Sequence, residues 1–277
     1  MHIDAHQHFW QYSPDEYGWI DDGMASIRQD FLPADLQPLL ENNGFQGSVV
    51  VQVRQTLEET QWLLKLADAN PFILGVVGWV DLCSPELRAQ LESFAGKPKL
   101  VGIRHIVQGE SDGFLLRPDF LRGISVLEEF DLAYDILIYP KHLPSAVEFV
   151  TRFPRQRFVL DHLAKPPVKS GAIDGWARGI RELASFPNVY AKLSGLVTEA
   201  AWEAWTAADI WPYLDVAFEC FGFGRLMIGS DWPVCLCAAS YKRAMNVVEQ
   251  YLDKCDVKER EAVLGGNAAA FWQLRSR

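Results

Sequence analysis

Two histidines one residue apart, His6 and His8, stand near the start of the chain. Imidazole suits Zn²⁺ and similar cations, and a carboxylate commonly completes such a ligand set. On a β-strand, side chains alternate with period two, so both rings would fall on one face and could grip one ion. A candidate carboxylate, Asp231, stands in Gly229-Ser230-Asp231-Trp232-Pro233, just past a short apolar run. A third histidine, His162, follows Phe158-Val159-Leu160-Asp161. It titrates near neutrality and could polarise a carbonyl or shuttle a proton. The plainer alternative for all three is a packed, hydrogen-bonded histidine in the core.

Further polar groups recur at the ends of apolar runs: Arg104-His105, Tyr139-Pro140-Lys141-His142, Lys165, Lys192 and Ser194. Arg104 is always charged and carries five donors, which suit a carboxylate, several hydroxyls or a structural salt bridge. The stretch 9–33 contains Trp10, Tyr12, Tyr17 and Trp19. These aromatic rings could stack on a ligand or pack the loop itself. A loop this long in a compact domain is often functional.

These groups need a scaffold that gathers strand ends. Short β-branched runs at 3–6, 47–53, 73–80, 100–105, 132–138, 158–162, 189–194 and 226–230 are nearly continuous in apolar residues, as parallel strands buried on both faces require. Between them lie helical patterns at 34–42, 58–69, 118–130, 143–153, 175–186, 210–221 and 239–252, with 257–264 and 268–274 closing the chain. Ser84-Pro85-Glu86 has the order of an N-cap and a first helical residue. Strand–helix alternation repeated eight times predicts an α/β fold, a (β/α)8 TIM barrel, as one domain over 1–277. An open doubly wound sheet lacks support, since no Gly-x-Gly-x-x-Gly follows any strand. In such a barrel, the loops after the carboxyl ends of the strands build the site. Asp231, on the last strand, would neighbour His6 and His8, on the first, once the barrel closes.

The chain has 277 residues, 49% of them hydrophobic, and a formal net charge of −10. That apolar fraction excludes a disordered chain. The acidic balance argues against a nucleic-acid partner, because phosphate contacts need basic surface. No basic and apolar leader opens the chain, and no window approaches the roughly 20 apolar residues of a membrane span. The expectation is a cytoplasmic protein with no membrane partner. Five scattered cysteines, an odd number, read as reduced thiols, with Cys235 and Cys237 as packing residues.

Taken together, His6-x-His8, the His162-Leu163-Ala164-Lys165-Pro166 stretch, Gly229-Ser230-Asp231-Trp232-Pro233 and Gly265-Gly266-Asn267-Ala268 resemble the amidohydrolase superfamily, of the amidohydrolase 2 type. The likeness is greatest to its sugar-lactone hydrolases, the L-fuconolactonases and L-rhamnonolactonases, together with pyrone-dicarboxylate lactonase. The resemblance implies a hydrolase that opens an aldono-1,4- or 1,5-lactone, a small-molecule ester. Asp231 would take a proton from water, and His6, His8 and His162 would surround the carbonyl. It further implies substrate contacts from Arg104, His105, Tyr139, Lys165 and Trp232, and from Trp19 in the first loop. Asn267 is expected to cap the last helix. One departure stands out: metal-dependent members offer a histidine at the fifth strand, where this chain has Tyr139, with His142 three residues on. The resemblance therefore admits two versions, one with a divalent ion held by His6, His8 and Asp231, Zn²⁺ being the best match, and one without metal. The alternative activity is a metal-dependent decarboxylase or amide hydrolase of the same superfamily.

Overall fold

Eight β-branched runs pair in parallel, each with the next, in the computed structural model, which describes residues 1–274. They are β1 (Ile3–Gln7), β2 (Gly47–Val51), β3 (Ile73–Gly78), β4 (Leu100–Ile106), β5 (Ala133–Leu137), β6 (Phe158–Leu160), β7 (Val189–Leu193) and β8 (Leu226–Ile228). A parallel bridge between Gln7 and Trp232 closes the sheet into a barrel. The helices between and after them are α1 (Pro33–Asn42), α2 (Leu57–Ala69), α3 (Leu87–Glu92), α4 (Pro118–Leu127), α5 (Leu143–Thr151), α6 (Ile173–Ala184), α7 (Ala207–Phe221), α8 (Tyr241–Leu252), α9 (Val257–Glu261) and α10 (Asn267–Phe271). The expected α/β barrel is the observed one. Of the expected span 1–277, the last three residues lie outside the described residues. None of the described helices is long and apolar enough to cross a membrane.

Two apolar layers hold the barrel. Outward-facing residues such as Val50, Ile103, Ile136, Leu160 and Ile228 pack under the helices. Ile3, Ala5, Val49, Val51, Val77, Val101, Ala133, Val159 and Met227 fill the lumen. Ala268, Phe271 and Trp272 join this inner layer, so the C-terminal segment closes the end of the barrel where the strands begin. Arg157, at the start of β6, donates to the Phe271 carbonyl there.

Several strands stop earlier than their apolar runs. The run 158–162 ends as a strand at Leu160, because Asp161–Ala164 coils into a tight turn. The run 226–230 likewise ends at Ile228. Ser84 does not cap a helix directly: its Oγ accepts from the Glu86 N–H at 3.0 Å in a preceding turn, and α3 starts at Leu87. Asn267 is the first residue of α10 rather than its cap. Its Nδ2 donates to the carbonyls of Phe223 and Leu226, which ties the last helix to the start of β8. All five cysteines are free thiols, and Cys235 is fully buried.

Candidate active site

β1 departs from strict alternation. Asp4 pairs with Ser48 and Gln7 with Val50, so β1 spends three residues (7 − 4) where β2 spends two (50 − 48). That bulge lets Ala5 pack in the lumen while its neighbour His6 also faces inward, meeting Lys192 and Asp161. His8 lies just past the strand, and its N–H donates to the Trp232 carbonyl at 2.7 Å. The Asp231 N–H donates to the His6 carbonyl at 2.8 Å. The seam between the first and last strands thus puts Asp231 beside the histidine pair, as barrel closure predicts.

His6 Nε2 is 3.2 Å from His8 Nε2, and Asp231 Oδ1 is 3.3 Å from His8 Nε2 and 3.8 Å from His6 Nε2. All three side chains are buried. The His8 Nδ1–H donates to the Val51 carbonyl at 2.7 Å, so a neutral His8 ring aims its Nε2 lone pair at Asp231. A lone pair facing a carboxylate at this distance requires a cation between them, either a proton or a metal ion. Tetrahedral ligands about 2.0–2.1 Å from Zn²⁺ lie about 3.3 Å apart, close to the separations observed. The donor set therefore fits a divalent ion, with the Val51 carbonyl orienting His8 from behind. His6, Asp161 and His162 form a second, overlapping convergence of ligand atoms.

Beneath the histidines lies a charged floor. Lys192, fully buried on β7, places its ammonium 2.5 Å from Asp135 Oδ2 on β5, 2.8 Å from Asp161 Oδ1 and 3.2 Å from His6 Nδ1. The Trp272 ring covers the same ammonium at 5.2 Å. Arg104, on β4, donates to Asp161 Oδ2 at 3.0 Å and to the Gln52 carbonyl, and its Nη1 lies 3.4 Å from His6 Nε2. Burial pushes Asp135 up to about 7 against the pull of Lys192. Burial acts on Asp161 too, but Lys192, His6 and Arg104 together hold it well below the usual carboxylate range. Burial and the Lys192 charge keep the His6 ring neutral.

His162 sits on an unusual backbone. His162, Leu163, Ala164 and Lys165 all have positive φ, at 52°, 49°, 58° and 52°. Each such L-residue costs roughly 1–2 kcal/mol, and runs of them are rare. Packing imposes the run: Leu163 and Ala164 are fully buried, Trp176 Nε1 donates to the Leu163 carbonyl at 2.7 Å, and the Lys165 N–H returns to the His162 carbonyl at 2.8 Å. Strain of this kind concentrates at functional sites. The turn leaves His162 Nδ1 2.8 Å from Ser194 Oγ and Nε2 3.8 Å from Asp231 Oδ1. Burial lowers His162 to about 4, so the ring is neutral at physiological pH and acts as a hydrogen-bonding group rather than an imidazolium. Burial disfavours charge on Asp231 as well, but His162, His8 and His6 reverse that effect and keep it ionised.

Asp231, His162, His6, His8 and Arg104 thus form one cluster. Lys165 stands beside it, paired with Glu199 at 2.8 Å. Burial would lower its ammonium pKa, but Glu199 and Asp231 outweigh that and raise it. Trp232 is buried against Phe9 and Phe31 and supports the seam. Tyr139 stands at the rim, 41% exposed and within electrostatic reach of Lys165. Trp19 is 43% exposed and meets Trp10 edge-on, while Trp10 and Tyr17 are buried and pack the first loop. His105 is placed apart from the cluster: it stacks on Phe114 in the helical layer and bonds Glu110 at 3.0 Å. His142 is not a fifth-strand ligand; it is buried and accepts from the Tyr139 N–H in the turn before α5. Sequence reasoning missed Asp135 and Glu199. Asp135 had a visible signal, an acid inside the apolar run Ala133-Tyr134-Asp135-Ile136-Leu137.

An amidohydrolase family model matches residues 3–274. The L-fucono-1,5-lactonase of Burkholderia multivorans is 41% identical over 286 residues, covering 99% of this chain and 96% of that protein. The L-fucono-1,5-lactonase of Burkholderia ambifaria is 41% identical over 277 residues, covering 98% and 95%. Among solved structures, an amidohydrolase from Burkholderia multivorans with bound Zn superposes with a TM-score of 0.96 at 41% identity, covering 99% of this chain and 100% of that one.

Proposed function

The chain belongs to the amidohydrolase family, and from that premise we propose that it opens the ring ester of a sugar lactone, L-fucono-1,5-lactone or a close stereochemical relative, with Asp231 as general base. The observation that carries this reading is the buried Asp231 carboxylate with three histidines 3.3–3.8 Å away at the carboxyl end of the barrel. Asp231 holds water and takes its proton as the water oxygen adds to the lactone carbonyl carbon. A positioned base of this kind contributes about 10²–10⁴-fold. In the tautomer that accepts from the Ser194 hydroxyl 2.8 Å from Nδ1, the His162 Nε2–H is left to hydrogen-bond the developing oxyanion. The ring C–O bond then breaks, the proton on Asp231 passes to the leaving ring oxygen, and the product is the open hydroxy acid. His6, His8 and Asp231 would hold a divalent ion, which when bound supplies Lewis-acid stabilisation of the developing negative charge.

A panel of 1,4- and 1,5-aldonolactones, assayed by acid release with and without chelator, tests the proposal. Turnover is expected on at least one lactone. Asp231→Asn is expected to lower it at least a hundredfold with an unchanged circular dichroism spectrum. No turnover on any lactone would reject the substrate class, and a near-normal rate in Asp231→Asn would reject the base. Metal content measured before and after chelation separates the two versions of the site.

A further inference from the structure

Four of the cations on the loops that follow the strands, and Arg104 on β4, are already matched. Arg28 pairs with Asp22 at 2.8 Å, Arg54 with Glu16, Arg104 with Asp161 at 3.0 Å, Lys141 with Asp112 at 3.0 Å, and Lys165 with Glu199 at 2.8 Å. None of these five is left over for a substrate carboxylate. Apart from Arg104, which belongs to the cluster, the Lys165–Glu199 pair stands beside the reacting groups, since Lys165 shares a turn with His162 and feels the charge of Asp231. Both side chains keep some access to water, at 15% and 23% exposure, so a ligand can reach them.

Both partners are held in place. Lys165 ends the left-handed turn described above. Glu199 ends a short 3₁₀ turn, Val197–Glu199, after β7. The Thr198 hydroxyl ties that turn to the Gly195 carbonyl at 2.8 Å, and Gly195 borders both His162 and Asp231. The pair therefore presents a donor and an acceptor side by side at a fixed place beside the cluster. Two hydroxyls on adjacent ring carbons need just that: one accepts from the ammonium, and the other donates to the carboxylate. A lactone that carries a carboxylate meets Glu199 and Asp231 as like charges and finds the ammonium already satisfied.

We propose that Glu199 makes the site selective for uncharged lactones: it neutralises Lys165, reads two neighbouring ring hydroxyls together with it, and turns away lactones bearing a carboxylate. This inference rests on the lactone-hydrolase reading. The test compares kcat/KM for an aldonolactone with that for the aldarate monolactone that differs from it only by a terminal carboxylate. The wild type is expected to favour the aldonolactone at least a hundredfold. Glu199→Gln, which keeps the shape and removes the charge, should shrink that ratio at least tenfold. Glu199→Asp should retain it, and Lys165→Met, which leaves the acid unmatched, should widen it. Melting curves check that each variant is folded. Wild-type turnover of the aldonolactone with an unshifted ratio in Glu199→Gln, or a ratio in Lys165→Met that fails to widen, overturns the inference and leaves the hydrolase reading standing. No wild-type turnover of any lactone in the panel removes both.

Discussion

Gly195 offers a sharp test of how closely His162 must be held. Its φ is +62°, and a Cβ built on it would lie 2.6 Å from His162 Nδ1, 2.8 Å from His162 Cγ and 3.1 Å from Asp231 Oδ2. Ordinary contact begins near 3.4 Å, so the ring in Gly195→Ala must retreat by about 0.8 Å (3.4 − 2.6). That retreat breaks the 2.8 Å bond to Ser194, and the backbone of His162 cannot follow easily, because it is locked in the left-handed turn. Misplacing a catalytic group by about 1 Å costs on the order of 10²-fold in rate. The conformational penalty for alanine at such a φ is about 1–2 kcal/mol, which for a chain this long lowers the melting temperature by roughly 2–8 °C. The matched control is Gly171→Ala. Gly171 has φ +70° and nothing within 4 Å of its built Cβ. Both variants should lose stability, read by calorimetry, Gly195→Ala the more because it also displaces a buried ring, whereas only Gly195→Ala should lose about a hundredfold in kcat on a lactone. Activity within threefold of wild type in Gly195→Ala, or an equal loss in Gly171→Ala, would refute the claim that the position of this ring limits turnover.

Two further predictions concern buried charge. Glu59, in α2, accepts the backbone N–H groups of Val53 and Arg54, yet burial pushes its carboxyl from 4.5 up to about 7. The folded state binds this proton more tightly than the unfolded state does, so the stabilisation is complete below about pH 4.5 and is lost as pH rises through about 7. The unfolding free energy from denaturant titration should fall over that window by up to about 3 kcal/mol, and Glu59→Gln should flatten the dependence; a wild-type curve that rises with pH would contradict the sign. Lys192→Met strands Asp135 and Asp161 in the lumen and should cost about 3–5 kcal/mol in urea unfolding. Adding Asp135→Asn should recover part of that loss, and strict additivity of the two substitutions would show that the pair is not coupled.

The barrel was legible because all eight strands are near-continuous apolar runs, and each observed strand falls largely within its run. The errors gather at the carboxyl ends. At Asp161 and Asp231 the chain leaves extended geometry to aim side chains into the mouth, and hydrophobicity carries no signal for that change. The grouping of His6, His8 and Asp231 was readable from topology, and His162 joined it through the resemblance. The bulge in β1 was not, since alternation by itself would have predicted the same inward pair for a different reason. His105 shows the limit of reasoning by position: adjacent to Arg104 on β4, it takes the opposite face and stacks on Phe114 in the helical layer. Lys192 was visible but ambiguous, because its meaning depends on Asp135 and Asp161, two strands that spacing cannot relate to it. Glu199 gave no sign at all, since a lone acid in a loop has no pattern.

The closing seam has a consequence for how the protein acquires activity. His6 and Asp231 are 225 residues apart in sequence (231 − 6), and the seam that joins them includes the bond from the Asp231 N–H to the His6 carbonyl, the bond from the His8 N–H to the Trp232 carbonyl and the Gln7–Trp232 bridge. Contacts between such distant segments carry the largest loop-closure cost and form late in folding. Residues from β5 to β8 alone would include the charged triad of Asp135, Asp161 and Lys192 but neither His6 nor His8, and so would have no site. Recovery of hydrolysis after dilution from denaturant therefore reports on ring closure itself, a step that spectroscopic measures of secondary structure would record as nearly finished beforehand.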